Sequence, residues 1–262
     1  MSDIPAPRFA PGTFLPAPGS GRRSAMLYAQ ARTETMLALR NGEQVLLTLL
    51  IPAALLVGLT VLTIVPMTAP RVDSVTPRIL GLAIMSSAFT SQAISLGFDR
   101  RYGVLKRLAA TAIPRWLIVA GRMTSALAVV VVQLVVLGVI AALLGWSPVA
   151  SGIGWAVLLI LLGTLAFGAL GVLLGGSLNA EIVLALANVI WFVLLLAGGA
   201  GIASSVPRGM TDLLLLLPSG ALADGLYSAL GHGTTPLWAS AVVLAVWGGV
   251  AAAVATRTTK LT

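Results

Sequence analysis

The chain runs as long apolar blocks separated by short groups of charge. No charged residue occurs between Glu43 and Arg71, Arg78 and Asp99, Arg122 and Glu181, Glu181 and Arg208, or Asp224 and Arg257. The blocks are apolar on consecutive positions, as in Val129–Val132 and Leu158–Leu162, which excludes the alternation of a transmembrane β-barrel. A membrane-crossing helix needs about 20 apolar residues to match a hydrocarbon core about 30 Å thick. The blocks therefore predict six spans: Val45–Val65, Ile79–Phe98, Met123–Leu144, Ile153–Leu174, Ile182–Ala203 and Leu237–Ala255. The longest block yields two of them, because Gly145-Trp146-Ser147-Pro148 breaks it. Leu213–Leu217 is apolar but too short to cross, and Pro218 ends it. The expected fold is an all-α polytopic membrane protein.

Composition agrees with the pattern. Apolar residues make up 58% of the 262 residues and charged ones 9%, with a mean hydropathy of +1.02. A soluble domain carries about 25% charged residues, so a water-facing surface cannot be covered here. Cysteine is absent and His232 is the one histidine, which removes thiol chemistry, disulfides and histidine-rich metal sites. The net charge of +8 reads first as membrane orientation and not as nucleic-acid binding. With six spans, thirteen basic residues fall on the side of the termini and three (Arg71, Arg78 and Arg208) on the other. Both termini are expected to be cytoplasmic. No cleavable leader is expected, because the first 25 residues lack an apolar core segment.

Residues 1–25, rich in Pro and Gly, read as a flexible cytoplasmic tail, and 26–262 as the six-helix domain. Residues 26–40 predict a helix lying in the interface. Met26, Ala29, Thr33, Met36 and Leu37 fall near one face, with Arg32 and Glu34 off it. Pro52 lies inside the first span and can kink it. The second span is unusually polar, with Ser86, Ser87, Thr90, Ser91, Gln92 and Ser95. It is expected to face protein or a cavity, and Ser87, Thr90, Ser91 and Gln92, with Asn188 of the fifth span, are the candidates for lining a transport path. Close packing against the fifth span would use the same small residues. Glu43, Arg122 and Glu181 stand at span ends as candidate gating or interfacial charges. For Arg122, snorkelling to water is the favoured reading.

The connection after the second span carries the most information. Val104, Leu105, Leu108 and Ala112 recur at helical spacing between Gly103 and Pro114, with Lys106, Arg107 and Arg115 off that stripe. A short amphipathic helix here needs either the bilayer surface or a protein partner to cover its apolar face. The series Asp99, Arg100, Gly103, Leu105, Leu108, Thr111 and Pro114 resembles the loop after the second span of type 2 ABC transporter permeases, the class that includes daunorubicin-resistance-type drug exporters. The family more often has Glu at the position of Asp99. The resemblance covers about residues 26–255. It implies a dimer of six-helix permeases, identical or paralogous, working with two copies of a separate P-loop ATPase. The cytoplasmic loop, including Lys106 and Arg107, then acts as a coupling helix that docks on the ATPase. ATP and its magnesium belong to that partner, since no Gly-x-x-x-x-Gly-Lys-Ser/Thr occurs in this sequence. No cofactor is expected in this chain, and it is read as a transport subunit without catalytic residues of its own.

The expected activity is ATP-driven export of a hydrophobic drug-like or lipid substrate from the cytoplasm, across the plasma membrane, by alternating access. The rival reading is an ion-coupled secondary transporter of small hydrophobic compounds. Such carriers usually hold ionisable groups near mid-membrane, and no Asp, Glu, Lys or Arg lies mid-span in this sequence. Intramembrane hydrolysis is a weak third, since Gly175-Gly176-Ser177-Leu178 lacks the final Gly of a rhomboid-type motif and His232 lies outside the expected sixth span.

Overall fold

The computed structural model describes residues 22–62, 70–110, 114–199 and 208–258. Residues 1–21, Thr111, Ala112 and Pro207 lie outside the described residues, as do the ends of the first and fifth expected spans. Among the described residues the chain is helical, without strands. Helix α1 spans Arg23–Arg40 and α2 spans Gly42–Val61. Helix α3 (Arg71–Met85) runs through a π-helical segment, Ser86–Ser91, into α4 (Gln92–Arg101). The short α5 (Val104–Ala109) leads to α6 (Arg115–Leu143), α7 (Ile153–Ser177) and α8 (Ala180–Gly199). Helices α9 (Arg208–Leu215), α10 (Pro218–His232) and α11 (Trp238–Thr258) complete the fold.

Five helical stretches among the described residues are long and apolar enough to cross a membrane: Arg71–Arg101, Trp116–Leu143, Ala150–Ser177, Ala180–Gly198 and Trp238–Thr258. The apolar part of α2, Thr48–Val61, is shorter. Many large apolar side chains face outward, including Val135, Val139, Leu165, Phe192 and Val250. That is the distribution expected where hydrocarbon, not water, is the solvent.

Several expectations are corrected. The second span is longer than Ile79–Phe98, because the helix already contains Arg71 and Arg78. Both charges are satisfied within the protein. Arg71 donates to the carbonyls of Leu59 (2.9 Å) and Leu62 (2.7 Å), and Arg78 lies 3.8 Å over the Tyr227 ring. Helix α1 begins at Arg23, ahead of the expected boundary. Gln30, Ala31, Glu34 and Ala38 turn inward, while Tyr28, Met36, Leu37 and Leu39 are exposed. A Cβ on Gly121 of α6 would lie 2.5 Å from Gln30 Cγ, so the two helices meet there at close range. The stripe with Met36 and Leu37 is thus left uncovered by the rest of the chain.

The segment after α9 is a buried helix. Pro218 does not merely stop an apolar run; it occupies the first turn of α10, where its missing N–H costs nothing. Leu222, Leu226, Ala229 and Leu230 of α10 join the core formed with α3, α6 and α7. His232, expected in a solvated loop, ends this helix, exposed and edge-on to Tyr227 at 4.7 Å. Gly171 and Gly175, expected to allow close helix approach, bring α7 against the second span. A Cβ on Gly171 would meet the Phe89 carbonyl oxygen at 2.7 Å, and one on Gly175 the Ala93 oxygen at 2.4 Å.

Candidate functional site

The residues of the Asp99–Pro114 series divide into two groups. The first closes the end of α4. The Asp99 carboxylate accepts a hydrogen bond from the Arg122 guanidinium of α6, which is 4% exposed. Arg100 donates to the carbonyls of Gly175 and Leu178, both at 3.1 Å, where α7 ends. These carbonyls have no partner within their own helix, and the negative end of the helix dipole favours a cation there. Arg101 pairs with Glu181 in the first turn of α8. Three consecutive side chains thus tie α4 to three different helices. Arg122 does not snorkel, as expected above. It is held inside by Asp99, because burying an unpaired guanidinium would cost far more than moving the carboxylate to it.

The second group forms the turn and α5. Gly103 has φ +69°, the left-handed region that glycine enters without penalty. Its N–H bonds to the Arg100 carbonyl and its own carbonyl accepts from Arg107 N–H, so the chain reverses within one residue. Leu105 is buried with Leu96, Ile118, Val172 and Ala255, and Leu108 packs against the same cluster. The apolar side of α5 is therefore covered largely by this chain itself, and not by the bilayer or a partner as expected; Val104 is the exception and is exposed. Lys106 and Arg107 are exposed, and so is Tyr102, stacked on Phe98 at 6.0 Å. What α5 presents outward is cationic and rigidly seated. Pro114 precedes α6 with extended backbone, as a residue closing such a turn should. The side chains of Glu43 and Arg115, like Thr111, lie outside the described residues.

The polar second span borders a cleft and a cavity. The cleft, of about 730 Å3, opens between α2, the π-helical segment with α4, and α8. Thr90, Ser91 and Asn188 line it together with Ser86, Ser95 and Trp191. Trp191 donates its indole N–H to Ser86 Oγ at 2.9 Å, while Asn188 Nδ2 donates to Leu184 O within its own helix. Adjoining the cleft, and sharing Ser91, Ser95 and Asp99 with it, a polar cavity of about 230 Å3 is bordered by Glu34, Gln92, Arg122 and Ser125. Ser87 and Gln92 border this inner cavity, and Thr90 and Asn188 the cleft. Ser87 is buried and donates to Gln133 of α6.

Sequence reasoning missed Glu34 and the pairing of Asp99 with Arg122. One signal was available for the pair. Consecutive spans joined by a short turn are antiparallel neighbours, so opposite charges near that turn face each other across it.

The ABC-2 type transporter family model matches residues 27–229, which include α1, the charged turn, α5 and the second span. The chain belongs to this family. It is a multi-pass membrane subunit of an ABC transporter, and ABC-2 membrane subunits typically work with an ATPase subunit. No curated protein gives a significant match to the sequence. In this ABC-2 chain the matched region ends before α11, whose role is architectural: Trp247 donates to the Leu216 carbonyl at 2.9 Å, and Gly248 lies against Ala166 of α7.

Proposed function

We propose that this ABC-2 subunit is the permease of an exporter of the daunorubicin-resistance type, driven by two copies of a separate P-loop ATPase and paired with an identical or paralogous permease. It moves a hydrophobic drug-like or lipid substrate outward across the plasma membrane by alternating access. The supporting observation is α5: a cationic surface, Lys106 and Arg107, seated on a buried apolar base and reached through a stem tied to α6, α7 and α8. Motion delivered to such an element passes to three helices at once and does not dissipate in a loop. On this reading α2, 20 residues and about 30 Å long, is a sixth crossing, both termini are cytoplasmic, and the cleft bearing Thr90, Ser91 and Asn188 is the substrate's route. A substrate or ATP shifts the two access states only through its differential affinity for them.

The test is co-purification of the tagged full chain from its native membrane in mild detergent, followed by an assay of ATP hydrolysis. An associated P-loop ATPase with vanadate-sensitive activity is expected. A preparation that retains no ATPase even after cross-linking overturns the reading. Lys106→Glu with Arg107→Glu is expected to abolish substrate-stimulated hydrolysis without changing the melting temperature, because both side chains are exposed. These are cleaner probes than Leu108, whose packing a charge would disrupt.

A further inference from the structure

A second groove, about 670 Å3, lies between α6, α7 and α11 and shares no lining residue with the polar cleft. Its body is apolar: Met123, Leu162, Leu165, Val172, Leu244 and the open backbone at Gly249. Polarity appears at one end only. There Trp116, half exposed near the start of α6, and Thr256, near the end of α11, line the groove, and the exposed Arg257 follows Thr256 directly. We propose that this groove is a binding site for one acyl chain of an anionic phospholipid, with the phosphate at the Trp116–Arg257 end. The gradient from an apolar body to an aromatic and cationic mouth is that of a phospholipid entering the bilayer. An apolar groove facing hydrocarbon is filled by hydrocarbon, since its lining otherwise forfeits its contacts.

The position gives the site a consequence. Met123, Val172 and Ala255 line the groove, and they also belong to the cluster on which Leu105 and Leu108 of α5 rest. A bound tail braces the base of α5 from behind. That consequence rests on the proposed coupling role; the binding does not.

The experiment uses the full chain, purified and stripped of lipid, titrated with dioleoyl phosphatidylglycerol or dioleoyl phosphatidylcholine and read by native mass spectrometry and by melting temperature. A Cβ on Gly249 meets nothing within 4 Å, so Gly249→Leu fills the groove without a backbone clash, and Gly249→Ala is the control. Ala252→Leu, on an exposed stretch of α11, fills it by a second route. Native chain and Gly249→Ala are expected to bind one phosphatidylglycerol. Gly249→Leu and Ala252→Leu should bind at least about tenfold more weakly, as blocking a few methylenes of contact implies, and Arg257→Gln should lose the preference for phosphatidylglycerol. Equal binding by the native and groove-filled chains overturns the site, and equal binding of both lipids by the native chain overturns the anionic assignment. A chain that binds the lipid yet recruits no ATPase leaves this site standing and removes only the exporter reading.

Discussion

The two ends of the second span hold their arginines differently. At the α4 end, Arg122 and Arg101 meet carboxylates from other helices, and Arg100 meets the carbonyls at the end of α7. At the α3 end, the carbonyls of Leu59 and Leu62 receive Arg71, and the Ser74 carbonyl and the Tyr227 ring receive Arg78, which also interacts with the charge of Asp224 in α10. Main-chain carbonyls and an aromatic face do most of the holding at the α3 end, whereas the α4 end adds two close ion pairs between helices, one buried and one exposed.

Substitutions grade this contrast. Arg122→Ala leaves Asp99 without its buried partner and is expected to cost about 3 kcal/mol or more, visible as a large fall in melting temperature in detergent. Combining it with Asp99→Asn should restore much of the loss; an additive double variant would dissolve the pair. Arg100→Ala removes two charge-assisted hydrogen bonds and should cost about 2 kcal/mol, with faster hydrogen exchange at the last turn of α7; unchanged exchange there would refute the capping role. Arg78→Ala loses the ring contact with Tyr227 and should cost about 1 kcal/mol. Tyr227→Leu removes the ring contact but leaves Arg78 its Ser74 carbonyl, so a loss no larger than that of Arg78→Ala is expected, and a clearly larger one would separate the two residues. Arg101→Ala comes last. Its side chain is 51% exposed and that of Glu181 65%, so about 0.5 kcal/mol or less is expected, and a loss comparable to that of Arg122→Ala would contradict this grading.

Much of this was legible in the sequence. The blocks between charges located the membrane helices, and the polar run from Ser86 to Ser95 marked the span that carries both cavities. The Gly103 turn and the short α5 followed from spacing alone. The misses share one physical origin: where the solvent is hydrocarbon, apolar side chains no longer declare an interior. Helix α10, rich in Ala, Gly and Ser, was buried despite its modest polarity because small residues permit close approach. The partner of Arg122 was obscured differently. Charge counting treats a basic residue near a span end as a marker of sidedness, and a marker has no assigned partner.

The π-helical turn from Ser86 to Ser91 sets the timing of the whole span. Each residue of an α-helix advances the direction of its side chains by about 100°, and a π turn absorbs one extra residue without breaking the rod. Everything downstream is thereby clocked relative to everything upstream: α3 keeps its face toward α10 while α4 aims Asp99, Arg100 and Arg101 at three separate targets. Deleting a single residue from the turn would leave the helix continuous and its composition almost unchanged. It would also rotate all three side chains off their partners in one stroke, a synchronised failure that no single substitution at the α4 end can reproduce.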